Sequence, residues 1–295
     1  MKIFTLFLIY FLFIKYLDVH SQSTQKGLHL EIGSLYNSSS LNWSIAGNAQ
    51  GKSPNILSEL KFNNIKSLGA YIKGEYKLTN SILISALLNK NEVINGEGTD
   101  TDYKADNRNN PFFEKKFISN KGYFTALKTG FSFPIRFSSK SILTPSILYY
   151  LTKQKFYILN NEMQDLQSTY QTDMSGIEIS IKTNISLNKF IHTSLTLSYH
   201  KVNYNAEADW NLIEVFKHPV SFSQTSKGSG YNIDIVFGYK LNKTFSVTTT
   251  GSFDLTNISE GIDTSYLITG KDISTQFNGA KNTIYSFKLG IITSL

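Results

Sequence analysis

The sequence predicts an all-β fold, a ten-stranded antiparallel transmembrane β-barrel of up-and-down topology, and three observations lead there. Apolar and polar residues alternate with a period of two in ten segments between Leu28 and the end of the chain. The connectors between those segments alternate between long and short. The chain also opens with an export-type segment and contains no cysteine.

Lys2 precedes an apolar run at residues 4–14, and Val19 and Ser21 occupy the positions a signal peptidase tests before Gln22. So short a run cannot span about 30 Å of hydrocarbon as a helix, so residues 1–21 are expected to be a signal peptide and residues 22–295 a single barrel domain. Charged residues make up 17% of the chain and aromatics 14%, against about 25% charged in soluble domains. The absence of cysteine argues against a disulfide framework in an exported chain. A net charge of +7 suits an anionic lipid surface, and no nucleic-acid partner is expected of an exported, strand-built chain.

The first strand is expected at 28–43 and leads into the long connector 44–56. The second, 57–77, turns back after only 78–81. The third, 82–93, is followed by the long stretch 94–116, and the fourth, 117–135, by the short 136–141. The fifth, 142–157, leads to the long 158–171, and the sixth, 172–187, meets the seventh, 190–205, across two residues. The long 206–229 precedes the eighth strand, 230–241. The short 242–244 precedes the ninth, 245–258, and the long 259–279 the tenth, 280–295. Five long connectors therefore fall on one rim and four tight turns on the other. Short periplasmic turns facing long extracellular loops are the mark of a barrel in the outer membrane of a Gram-negative-type bacterium.

The eighth strand shows the alternation plainly, with Tyr231, Ile233, Ile235, Phe237, Tyr239 and Leu241 on one parity and Asn232, Asp234, Gly238 and Lys240 on the other. Tyr285, Phe287, Leu289, Ile291 and Leu295 repeat it in the tenth. Tyr76, Phe137, Phe190, Tyr239 and Phe245 gather near the short-turn rim, as an interfacial girdle would. The parity that places these residues in lipid turns Glu59, Lys61, Lys73, Glu75, Lys128, Glu178, Lys182 and Asp234 into the lumen. His200 follows, in step with Ser194, Thr196 and Ser198. Both signs of charge occur, which predicts a lumen filled by paired side chains rather than an open channel of one sign.

The second and fourth long connectors carry Asp100-Thr101-Asp102-Tyr103 and Asp209-Trp210-Asn211, and topology puts both at the extracellular mouth. The Leu57-Ser58-Glu59-Leu60-Lys61-Phe62 stretch and the Asp-x-Asp-aromatic at Asp100 to Tyr103 resemble the omptins, ten-stranded outer-membrane proteases. That resemblance implies a first catalytic pair at Asp100 and Asp102 and a second, Asp followed two residues later by His, on the facing wall. Asp209 matches the Asp, and Asn211 stands where the His would be. Asn hydrogen-bonds water but does not take its proton near neutral pH, so the general base is missing. His218, before Pro219, is left as a replacement base or a turn former. Parity along Val202, Tyr204 and Ala206 turns Asp209 outward, so a bulge near Ala208 is required if the two groups are to share a cleft.

Tyr204-Asn205-Ala206, Asp209-Trp210-Asn211-Leu212, Phe216-Lys217-His218-Pro219-Val220-Ser221-Phe222 and Gly228-Ser229-Gly230 resemble the Protochlamydia outer membrane protein family. That resemblance implies the same omptin-like barrel, with porins among the members. The expected function is a narrow porin or a surface ligand-binding protein. The alternative is an omptin-type endopeptidase using Asp100, Asp102 and Asp209. Outer-membrane lipid, lipopolysaccharide in particular, is the expected partner, with an extracellular peptide or small solute at the mouth. No cofactor or metal is expected, since the histidines have no ligand spacing among themselves.

Overall fold

The structure is a computed structural model that describes residues 27–294; the expected signal peptide and the terminal Leu295 lie outside the described residues. The strands are β1 (Leu28–Ile45), β2 (Ser58–Lys77), β3 (Leu83–Ala105), β4 (Asn109–Ile118), β5 (Gly122–Ser132), β6 (Ile135–Arg136), β7 (Ser141–Leu159), β8 (Gln167–Ser186), β9 (Ile191–Asp209), β10 (Phe222–Lys240), β11 (Phe245–Ile258), β12 (Gly261–Tyr266) and β13 (Asp272–Ser294). Ten of them, β1, β2, β3, β5, β7, β8, β9, β10, β11 and β13, form an antiparallel ring. The ring closes where β13 pairs with β1, from Ser294 opposite His29 to Phe277 opposite Ile45. The two-residue β6 pairs with β7, while β4 and β12 stand above β5 and β11 on the long-loop side.

The outward face of the lower ring is apolar. Ile233, Ile235, Phe237 and Tyr239 on β10, Ile177 and Ile179 on β8, and Phe287, Leu289 and Ile291 on β13 are all exposed there. At a strand tilt near 40°, the climb from Tyr231 to Leu241 is about 25 Å, the height of a hydrocarbon core. Tyr76, Phe137, Phe190, Tyr239 and Phe245 are exposed at the lower margin. The ring pairs Tyr199–Tyr231 (5.3 Å) and Phe253–Tyr285 (5.1 Å) lie at the upper one.

Above that margin the polarity inverts, and on a strand without a bulge, such as β9, the phase is kept. On β9, Leu195 and Leu197 point to lipid and Ser194, Ser198 and His200 point inward; higher up, Lys201, Asn203 and Glu207 face out and Val202, Tyr204, Ala206 and Ala208 are buried inside. Water replaces lipid outside, so the outer positions become polar and the inner ones can form an apolar core. That core fills the extracellular half of the barrel. Phe62 packs on Phe117, Phe156 and Tyr170 at 4.9–6.0 Å, and Trp43 stacks on Tyr170 at 5.3 Å.

Below the core lies a polar cavity of about 350 Å³. Lys73 pairs with Glu75 (2.7 Å) and Lys128 with Glu178 (2.6 Å), as both parity and charge predict. Tyr71 crosses the wall over Gly290, where a Cβ would strike its hydroxyl, and donates to Glu31 (2.7 Å), which also accepts from Thr248 (2.7 Å). His200 is fully buried, stacked on Tyr150 at 5.1 Å, with Nε2 against Thr256 Oγ1 at 2.9 Å.

Two expectations are corrected. Residues 94–116 are not a loop: β3 continues through Asp100 and Asp102 to Ala105, and β4 returns beside it. In the same way β8, β9, β10 and β13 rise several residues beyond their expected ends on this side. Polarity inversion and glycines blur the alternation there without ending the strands, and at Gly98 a Cβ would collide with the Phe117 ring and the Lys61 carbonyl. Glu59 and Lys61 do not face the lumen. A bulge at residues 63–64, with Asn64 at φ 52°, reverses the parity of β2, so Leu60 and Phe62 turn inward and Glu59 and Lys61 outward. Glu59 there binds Lys61 (2.6 Å) and Arg108 (2.8 Å), which hold its carboxyl below the usual range against the opposing effect of burial.

Glu178 is only 3% exposed, so removing its partner leaves a buried uncompensated charge. Lys128→Met is expected to cost about 3 kcal/mol in denaturant unfolding from lipid vesicles, with most of it recovered in Lys128→Met/Glu178→Met. A loss in the double variant equal to the sum of the two single-variant losses would show that the pair contributes nothing jointly.

Candidate functional site

Asp100 and Asp102 face the interior because β3 is bulged at residues 94–95, beside the bulge of β2. Below it Asn91 and Val93 are the buried positions; above it Gly96 and Gly98 are, and Asp100 and Asp102 continue that phase. Asn64 ties the two strands together through Nδ2 to Glu97 Oε1 at 2.9 Å. In register, Asp100 lies between Leu60 and Lys115, and Asp102 between Ser58 and Phe113. Leu60 adjoins Trp43 on β1, so the two carboxylates overlook the aromatic floor of Trp43, Tyr170, Phe222 and Trp210.

The two carboxyl groups differ in support. Asp102 accepts a hydrogen bond from Ser58, yet burial still raises its pKa. Asp100 has no hydrogen bond or ion pair among the described residues, and burial, with the Asp102 charge added, pushes it up to about 7.

The second group lies on β9, the seventh strand of the ring when β3 is the third, so nearly across a barrel about 20 Å wide. The register of β9 with both neighbours runs unshifted to Ala208 and Asp209, so the bulge needed to turn Asp209 inward is absent. Asp209 keeps the outward parity of Asn205 and Glu207, and His218 Nδ1 donates to its Oδ1 at 2.6 Å. Asn211 is committed elsewhere. Its Oδ1 accepts from Gln167 N and Ser168 Oγ, both at 3.0 Å, and its Nδ2 donates to Asp165 O at 2.7 Å, which pins the loop between β7 and β8. Among the described residues no hydrogen bond or ion pair joins Asp100 and Asp102 to Asp209, Asn211 or His218.

A further buried network sits inside the mouth. Tyr170 shares a hydrogen bond with Tyr204 (2.6 Å) and donates to Gln224 Oε1 (2.6 Å), whose Nε2 donates to Asp263 (3.0 Å). Asp263 is 2% exposed and burial raises it to about 6, against the Gln224 hydrogen bond. It fell within an expected loop, so its parity carried no signal. Among the described residues no group of three or more His, Cys, Asp or Glu side chains could hold a metal ion.

A family model described as Protochlamydia outer membrane protein matches residues 30–295. The chain is similar in structure to the outer membrane protease OmpT from Escherichia coli, with 12% identity and a TM-score of 0.73 over 93% of this chain and 99% of that one. It also matches the outer membrane protein OprG from Pseudomonas aeruginosa at 9% identity and a TM-score of 0.38, covering 92% and 96% of the two chains. A comparison with the curated proteins found no match.

Asp100 has its pKa raised from 3.8 to about 7 in the folded state, so its ionised form opposes folding. The full penalty is present above about pH 7 and is relieved as the pH falls through 7 toward 3.8. Asp100→Asn should therefore raise the thermal unfolding midpoint in detergent at pH 8 and leave it nearly unchanged at pH 4. An equal shift at both pH values would remove the carboxylate charge as the cause.

Proposed function

We propose that this chain, which belongs to the Protochlamydia outer membrane protein family and is an outer-membrane β-barrel protein, acts as a surface receptor. Its acidic extracellular mouth binds a cationic ligand without cleaving it. The observation that carries this reading is the inward-facing Asp100, half-buried beside Asp102 over an aromatic floor, in no ion pair among the described residues. A lysine or arginine side chain supplies a positive charge to the Asp100–Asp102 pair, and the aromatic rings accept its apolar stem or its cationic head. Conduction is the weaker reading, because the aromatic core fills the lumen between the mouth and the polar cavity. Catalysis in the omptin manner has no base at Asn211, whose amide is used at both ends by the loop it pins. The structural likeness at 12% identity supports the fold and leaves the chemistry to these residues.

One observation favours a second reading. The hydrogen bond from His218 to Asp209 is the arrangement that orients an imidazole as a general base. It would support an endopeptidase with Asp100 and Asp102 holding the attacking water only if the loop carrying His218 swings over the mouth.

Lipopolysaccharide is the proposed lipid partner. Lys66, Lys90, Lys153, Lys201 and Lys281 stand on outward positions just above the apolar belt, at the level of its phosphates. Replacing Lys90, Lys153 and Lys201 by Gln should lower thermal stability in lipopolysaccharide-containing bicelles and not in neutral detergent. No difference between the two media would remove lipopolysaccharide as the partner of this band.

A Lys-containing peptide should bind the refolded barrel more tightly at pH 8 than at pH 5, since a bound cation favours ionised Asp100. Asp100→Asn or Asp102→Asn should cut affinity tenfold or more, and mass spectrometry should recover the peptide intact. Robust cleavage that is lost in His218→Ala would establish the endopeptidase reading instead.

A further inference from the structure

β4 outruns its neighbour. It touches β7 at one position, Ile118 opposite Leu159, and Leu159 is the last residue of β7. Above that point residues 109–117 pair with β3 on one side, and on the other they have no backbone partner among the described residues. The rim of the extracellular wall therefore has a notch where a further strand would lie.

The ladder identifies which groups line it. Successive residues of an antiparallel strand direct their N–H and C=O groups to alternate sides. Ser119 N–H donates to the Gly96 carbonyl of β3 at 2.9 Å, while Ile118 turns to β7. Counting upward by two assigns Phe117 and Lys115 to β3 and leaves Lys116 and Glu114 facing the notch. The register shift between Asp102 and Tyr103 ends the count above Phe113, and Pro111 lies beyond it. Two N–H donors and two carbonyl acceptors thus stand open on an exposed edge with no proline to block it. On the inner face, Lys115 is level with Asp100 and Phe113 with Asp102. A cation level with Asp100 would meet the Lys115 charge, whereas one level with Asp102 would meet an aromatic ring and a carboxylate.

We propose that this notch receives an extended peptide by strand addition, with its main chain bonded to Glu114 and Lys116 and a Lys or Arg side chain passing over Phe113 to Asp102. The peptide backbone lies two strand spacings, about 10 Å, from β3, a gap that a long basic side chain and a carboxylate span from the same face. The basic residue in this proposal rests on the acidic-mouth reading, whereas the strand addition rests on the open edge alone.

The test uses the refolded full chain in detergent with a ten-residue peptide of alternating Thr and Val carrying one central Lys. Two further versions are N-methylated on alternate residues, in one phase or the other. One phase should lose binding tenfold or more and the other should keep it. Amide exchange should slow at Glu114 and Lys116 on saturation and stay unchanged at Lys115. Lys116→Pro, which removes one open donor without touching the β3 ladder, should weaken binding about fivefold. Equal binding by both methylated phases, or a saturated complex with no protection at Glu114 and Lys116, would overturn strand addition while leaving the acidic mouth intact if Asp102→Asn still abolishes binding. Edge protection that persists in Asp100→Asn/Asp102→Asn would retain strand addition and sink the acidic reading. Protection that grows with protein concentration in the absence of peptide would show pairing between copies and overturn a foreign occupant, and no binding at all would overturn both.

Discussion

The pairing of β13 with β1 is the interaction on which the rest depends. Hydrocarbon offers no water to unpaired N–H and C=O groups, so a sheet in a bilayer must bond its last strand to its first. Closure with ten antiparallel strands puts the start of β1 and the end of β13 on one rim and makes the connectors alternate between rims. It also sets a width of about 20 Å, most of which inward side chains occupy. A lumen this narrow is filled unless its residues are small, and here they are Lys, Glu and Tyr below and aromatic above.

The second organising constraint is the change of solvent along each strand. Inside the belt the lipid-facing positions are apolar and the lumen is polar, with Lys128 and Glu178 paired within it. Above the belt water lies outside, and Tyr170, Tyr204, Phe62 and Trp43 close the interior. A strand such as β9 therefore carries two opposite hydrophobic patterns on one unbroken phase. The core gives the mouth a rigid floor, and a rigid floor is what holds a carboxylate such as Asp100 away from water.

Two bulges then decide what the mouth presents. Residues 63–64 on β2 and 94–95 on β3 add a residue each at the same height, and every side chain above them changes face. Asp100 and Asp102 enter the interior by this route, while Glu59 leaves it for Arg108 and Lys61. On β9 no such bulge occurs, so Asp209 stays outward with His218 as its partner. The same fold as a protease is thus assembled with its acidic groups divided between two faces, and Asn211 serves as a clasp on the loop before β8.

The sequence by itself determined the barrel. Ten strands, the split between long and short connectors, the lipid-facing parity and the lumen positions of Lys73, Glu75, Lys128 and Glu178 all follow from a period of two, because below the belt margin one face meets lipid and the other does not. Above that margin the same rule failed. The upper half of β3, with β4 and β12, has the sequence pattern of a loop, since polarity inversion and Gly96 and Gly98 remove the contrast on which parity relies. Facing directions at Glu59 and Asp100, and the absence of a bulge before Asp209, were decided only by tertiary structure. A bulge shifts parity through its pairing with a neighbouring strand, and whether Asn64 takes a left-handed φ of 52° depends on the partner it must register against.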